Sequence, residues 1–530
     1  MGRNNEKIDL ASMSLDHAPL VRAVEVEAPP PSLKDNTGLV DRLARAVERA
    51  LDQPRVEVPL SLGWRLSDFH RRGVNRVRVV YYRTPEQVRL VTLEETDTNA
   101  PTYGLAVDIG STTLFLALVR LDQPAVLEQI TWPNPQAEFG PDILTRAHFA
   151  ETEGGLEKLV SALRRGLNLG ALELCRGYGL DPERITAAAV AGNTSMTHFF
   201  LGLPVYTLIR EPYTPIINRP QGLTAAQVGL NVSPEAPVLV MPNKGAYLGG
   251  DLMAGLAAAG FPRAEEPCFL VDVGTNAEVV LGQKDWLVGA AGAAGPALEG
   301  GAAAMGMTAG PGAIDRVRID RETKALSWRT VDGGPPRGLC GSGLIDLLAE
   351  LFLSGLIDFQ GKLTLPSGSP LRVETDEGPA FVVVPAEAAY DRKPILLSEV
   401  EIDILIRSKA AMYTILSTVL ESVGLEFHQI DKFYVAGAFG EFIDPKMAVA
   451  VGMLPDIPLE KYIPLGNSSL KGAILNLVSQ EARDQVWDVW RRLTYLEMNV
   501  NQDLMNRFSA ARFIPHTERQ LFPSVGVIIK

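Results

Sequence analysis

Asp108 and Asp272 each sit near the end of an apolar run and are each followed two residues later by a glycine and then by hydroxyl or amide side chains. Residues 105–113 read LAVDIGSTT and residues 270–278 read LVDVGTNAE, a near-repeat at domain-scale separation. Gly110 and Gly274 allow a sharp turn and a close approach of backbone to a ligand. Beyond them, the backbone amides and side chains of Ser111, Thr112 and Thr113, and of Thr275 and Asn276, can cradle phosphate oxygens. A carboxylate repels phosphate, but it can hold magnesium through water, and magnesium bridges phosphate oxygens. Two such hairpins would form a clamp for a nucleoside triphosphate. One copy alone reads equally well as a polar β-turn; two copies in matching strand contexts point to a duplicated fold.

Other segments carry weaker signals. Residues 433–440, FYVAGAFG, read as a buried strand entering small residues, where Gly437, Ala438 and Gly440 leave room for a flat ring or a ribose. Close helix packing would select the same residues. Asn193 and Thr194 follow the apolar run 187–190 and suit either phosphate contact or capping of a helix starting near Ser195. Gly341 and Ser342 open an apolar helix whose amides suit phosphate. Asp251 reads as a helix cap, with a place near the metal as the other option. His148, His198 and His428 form no metal-ligand pair and read as structural. Cys175, Cys268 and Cys340 are far apart with no CxxC spacing, so they read as small buried residues rather than zinc or iron–sulfur ligands.

Apolar strands, glycine-rich turns and Ala/Leu-rich helices from Tyr103 onward are the texture of an α/β core. Ahead of it, residues 1–27 read as a flexible polar tail. Residues 28–100 read as a small α+β linker module that begins at Pro29-Pro30-Pro31. The core divides into a first lobe over 103–267 and a second over 268–530 with C-terminal helices. A net charge of -13 argues against nonspecific nucleic-acid binding. No apolar run is long enough to span a bilayer, and the polar N-terminus lacks a secretory apolar core, so a cytoplasmic location with no membrane partner is expected.

The paired turns and the VAGAFG segment resemble the actin-like ATPase superfamily of acetate and sugar kinases, heat-shock chaperones and actin. More closely, the chain resembles the ATP-dependent reductive activators of corrinoid proteins. The resemblance rests on YGLAVDIGSTT at 103–113, AGNTSMTHFFLGLP at 191–204, LGGDLMAGL at 248–256 and LVDVGTNAEVVLG at 270–282. It continues through AAGPALEGGAAAMGM at 293–307, CGSGLIDLLAEL at 340–351 and YVAGAFGEFIDPKMAVAVGMLP at 434–455. It implies a duplicated, two-lobed actin-like (ribonuclease H-like) fold and a repair function, in which ATP drives one electron uphill onto Co(II) to restore Co(I). By this resemblance Asp108 and Asp272 serve magnesium and the phosphates. Thr112, Thr113, Thr275 and Asn276 contact phosphate, and Gly437 with its neighbours accepts the adenosine.

Relatives of this kind commonly carry an iron–sulfur ferredoxin domain. No cysteine precedes Cys175 here, so no cluster is expected in this chain: either a separate ferredoxin-like donor of low potential supplies the electron, or the chain is a fragment or divergent copy, or it does only the ATP-driven conformational half of the work. The expected partners are therefore a corrinoid protein and that donor, with homodimerisation possible. A small-molecule kinase, with Glu278 or Glu299 as base, and a nucleotide-gated scaffold are the alternative functions on the same fold.

Overall fold

Alternating Val and Leu in residues 76–95, broken by Thr84-Pro85, form two antiparallel strands, Arg76–Arg83 and Val88–Glu95. The computed structural model describes residues 2–3, 8–10, 13, 16–96, 100–274, 277–292, 303–498 and 504–528. The two strands belong to a four-stranded sheet with Arg22–Glu27 on one side and Val56–Glu57 on the other. The amphipathic helix Leu39–Leu51 packs Leu43, Val47 and their neighbours against Val79, Leu90 and Phe69. Arg22–Glu27 pairs along its whole length with Arg76–Tyr81. The tail expected over 1–27 is thus corrected at its C-terminal end. Nearby, Leu20 N donates to Leu477 O at 2.8 Å and Arg483 Nη2 donates to Ala18 O at 2.7 Å. Polar composition hid this order, because strand Arg22–Glu27 alternates Val with Arg and Glu and buries only one face.

Two compact units make up the chain: residues 1–258 with 468–491, and residues 259–467 with 492–530. In the first, the main sheet places Ala125–Pro133, Thr113–Arg120, Tyr103–Ile109, Ile185–Gly192 and Pro237–Val240 side by side in that order. The first three pair antiparallel, and the last two run parallel to Tyr103–Ile109. In the second, Trp286–Gly292, Ala277–Gln283, Cys268–Val273, Lys432–Ala436 and Tyr462–Gly466 repeat that order and those directions. The near-repeat in sequence is therefore a repeat of topology.

Helix Gly155–Arg176 packs on the first sheet through Gly166 and Gly170, where an added Cβ would crowd Leu114 and Leu116. Helix Ser468–Val478 also belongs to the first unit. Its Leu477 reaches Gly104, and its Gly472 lies so close to Ala254 that a Cβ would overlap the Ala254 carbonyl. This departs from the expected second lobe running unbroken from 268 to 530. The helix is buried on most of its surface and has almost no polar face, so periodicity could not assign it to one sheet. Among the described residues no helix is long and apolar enough to cross a membrane.

Candidate functional site

Strand Tyr103–Ile109 is buried throughout and delivers Asp108 to its C-terminal end, 8% exposed. Ser469 Oγ donates to Asp108 Oδ1 at 2.8 Å. Pairing resumes at Leu114 opposite Ile109, so residues 110–113 form the turn. A Cβ on Gly110 would overlap Thr113 O, which makes glycine obligatory there. The turn is held by its carbonyls. Asn134 Nδ2 donates to Gly110 O at 2.9 Å, Arg146 Nη1 to Ser111 O at 2.6 Å, and Asn134 N to Thr112 O at 2.8 Å. In a trans peptide the C=O and the following N–H point in opposite directions. Anchoring these three carbonyls therefore turns the amides of Ser111, Thr112 and Thr113 away from the donors, as an anion-binding turn requires.

Asn193 joins this turn. Its register follows from Asp108 pairing with Ala191 on the adjacent parallel strand. Its side chain does two things at once: Oδ1 accepts from Met196 N at 2.9 Å, capping helix Thr194–Leu201, and Nδ2 donates to Ser111 Oγ at 3.2 Å. Thr194 is buried, and its hydroxyl donates to Gly245 O at 3.1 Å. Asp251 lies in the first turn of helix Gly250–Ala258, where Oδ1 accepts from Leu252 N at 2.8 Å. At Gly249 a Cβ would overlap Asp251 Oδ1 and lie 2.5 Å from Asn193 Cα, so Asp251 stands beside the Asn193 turn. His198 is buried between Thr194 O, 2.7 Å from Nδ1, and Ile216 N, which donates to Nε2 at 3.0 Å. Burial lowers its pKa, and the structural role expected of it is the one observed.

In the second unit Asp272 pairs across the sheet with Ala436, the same register that joins Asp108 to Ala191. Gly437 follows with φ +76, and a Cβ there would lie 2.9 Å from Asp272 Oδ1. Bare backbone thus runs directly beside the carboxylate, closer than any side chain would allow. Gly440 packs on the same strand, and a Cβ on it would overlap Val435 O. Glu278 stands opposite Asp272 on the antiparallel side. This hairpin closes between Val273 and Ala277, one residue shorter than its counterpart. Gly274 begins it; Thr275 and Asn276 lie outside the described residues, as do Glu299 and the side chain of Ala438.

Gly341 and Ser342 open helix Gly341–Leu353. Ser342 is 4% exposed with Oγ 3.3 Å from Cys340 Sγ, and a Cβ on Gly343 would overlap Ile314 O. This helix start is packed onto strand Ala313–Ile319, and its serine hydroxyl faces the Cys340 thiol. All three cysteines are free and buried, and burial pushes the thiols of Cys175 and Cys268 up to about 11. Among the described residues no group of three or more His, Cys, Asp or Glu is placed to hold a metal.

Asn134, Arg146 and Ser469 were not singled out from the sequence. Asn134 lies in an Asn-Pro pair, a turn signal that would have marked it. Arg146 is an ordinary helical arginine in sequence, and Ser469 lies 361 residues from Asp108. Replacing Asn134 by alanine should lower stability by about 2 kcal/mol, because Gly110 O and Gln136 N each lose a buried partner. Urea unfolding of the variant measures this; an unchanged midpoint would show that the turn does not depend on it.

Three family models match consecutive stretches of the chain: the RACo linker region at residues 11–100, the RACo middle region at 103–264, and the C-terminal ASKHA domain of RACo at 266–526. The corrinoid activation enzyme RamQ of Eubacterium limosum is 30% identical over 75% of this chain and 68% of its own length. A Methanosarcina barkeri protein named as a reductase of the Co(II) methylated amine-specific corrinoid protein is 24% identical over 74% of this chain and 73% of its own. Among solved structures, a reductive activator for a corrinoid, iron–sulfur protein superposes with a TM-score of 0.85 at 38% identity, covering 97% of this chain and 82% of that one.

Proposed function

Because the chain belongs to the RACo family, we propose that it is an ATP-dependent reductive activator of a corrinoid protein, an ATPase that promotes reduction of Co(II) to Co(I). Likeness over 97% of the chain to a structurally known reductive activator carries this reading. Two strand-end carboxylates in equivalent registers support its ATPase half. In balance, one electron from a donor converts Co(II) to Co(I), while ATP and water give ADP and phosphate. The donor we propose is a separate ferredoxin-like protein of low potential, and the location cytoplasmic; a homodimer is compatible with this reading.

The residues suit the nucleotide as follows. The outward amides of the Ser111 turn receive phosphate oxygens, and Asn193 holds Ser111 in place through its Oγ. Ser469 fixes one oxygen of Asp108 and so orients the carboxylate. Asp272, with the side-chain-free backbone of Gly437 beside it, offers a second carboxylate. Thr275, Asn276, Ala438 and Gly440 are proposed to complete the contacts to phosphate and adenosine. Asp108 and Asp272 are the residues proposed to hold magnesium, which would supply positive charge against the phosphates. Nucleotide promotes cobalt reduction only if it binds one conformation better than another, since equal binding shifts no equilibrium.

The test mixes the pure protein with a Co(II) corrinoid protein and titanium(III) citrate. The expected result is ATP hydrolysis together with a visible spectrum that moves to Co(I) only when ATP is present. ATP hydrolysis with no change at cobalt would reject the activator reading and leave only the ATPase.

A further inference from the structure

Arg146 carries a positive charge that forms no ion pair with the described residues of its own unit. It lies in helix Ile143–Ala150 with 0% exposure. Among the described residues its guanidinium donates to carbonyls: Nη1 to Ser111 O at 2.6 Å, Nε to Gly140 O at 2.8 Å and Nη2 to Pro141 O at 3.5 Å. Asp142 is the acid whose field reaches it, but both Asp142 oxygens are engaged by Thr145, from N and from Oγ1, at 2.8 Å each. Among the described residues no carboxylate forms an ion pair with Arg146. A buried cation with no carboxylate in an ion pair is costly, and three carbonyl dipoles with the field of Asp142 offset the cost only in part. A leucine or methionine would fill a similar volume without that penalty.

The position of the charge gives it a use. The Ser111 carbonyl that Arg146 holds belongs to the same peptide as the Thr112 amide, which points the opposite way. The guanidinium therefore stands directly behind the face that the turn offers to an anion. Its donated hydrogen bond also polarises that peptide in the direction that strengthens the amide as a donor. We infer that Arg146 is a positioning residue of the first phosphate turn, a buried cation that fixes the turn and whose charge is balanced by the phosphates of the bound nucleotide. This inference rests on the nucleotide reading given above.

The ligand series that separates charge from shape is adenosine, ADP and ATP with magnesium, titrated calorimetrically into the full chain. For wild type, affinity should rise along the series. In Arg146→Gln, which keeps hydrogen-bond donors but loses the charge, ATP should weaken by roughly tenfold or more, given the strength of a unit charge over a few ångström at an effective dielectric of about 20. Adenosine should change by less than about twofold, since it brings no charge to balance. Arg146→Lys, which keeps the charge but not the planar fork, should hold ATP clearly better than Arg146→Gln does. Parallel weakening of adenosine and ATP would reduce Arg146 to a structural residue and overturn the inference, as would unchanged ATP binding in Arg146→Gln. If Arg146→Gln fails to fold, Arg146→Lys decides: ATP lost with adenosine retained overturns the role of charge, and both retained supports it. A wild-type chain that binds no ATP would bring down this inference together with the nucleotide reading; normal wild-type binding with no effect of Arg146→Gln brings down this inference alone.

Discussion

Alanine at Asp108 or at Asp272 should lower magnesium-dependent ATP hydrolysis by roughly a hundredfold or more while the chain stays folded. Each carboxylate is the last but one residue of a strand, and two residues further on a glycine opens the hairpin to the next strand. The loss in stability is small for different reasons at the two positions. Asp108 is buried, so alanine forfeits the hydrogen bond from Ser469 but also removes a buried charge, and these effects oppose one another. Asp272 is only half-buried, and its removal leaves more room beside Gly437. Phosphate release at saturating ATP and magnesium, with a thermal unfolding curve for each variant, tests this. Wild-type rates in both variants would reject the assignment of these carboxylates to the nucleotide; a wild-type rate in one would remove that one from the site.

Asp-x-Gly recurring after apolar strands was visible in sequence because such a turn is local: the strand end, the carboxylate and the glycine lie within a few residues. The repeat was enough to anticipate two sheets of equal topology, since each hairpin specifies its own strand pair. Asn193 was legible for the same reason, though not that it caps a helix and holds Ser111 simultaneously. Ser469 and Arg146 were not legible. Each reaches its turn through tertiary packing, one across 361 residues and the other across 35, and neither residue type is distinctive at its own position. The sheet strand Arg22–Glu27 was missed because its charged, outward face dominates its composition. Helix Ser468–Val478 packs within the first unit, and chain order gives no indication of which sheet a helix buried on most of its surface covers.

Gly437→Ala is expected to weaken ATP binding by roughly tenfold or more and to cost only about 1–2 kcal/mol of stability. The stability cost comes from φ +76, which an L side chain adopts with strain. The binding cost comes from the new Cβ, which would lie 2.9 Å from Asp272 Oδ1. A side-chain carbon essentially never sits that close to a carboxylate oxygen, and the nearest atom belongs to a side chain rather than to backbone, so the carboxylate shifts while the sheet remains intact. Gly110→Ala would meet the opposite case: its Cβ would overlap the backbone carbonyl of Thr113, and the turn itself would have to move. Strain and displacement at Gly437 can be separated with Gly424→Ala. Gly424 has φ +70, nearly the same conformation, with nothing within 4 Å of its added Cβ. That variant should lose about 1–2 kcal/mol in urea unfolding and bind ATP as wild type does. If Gly437→Ala also binds ATP normally, the carboxylate of Asp272 has no part in holding nucleotide or its metal. If both variants lose ATP binding equally, the loss follows from backbone strain and not from the carboxylate.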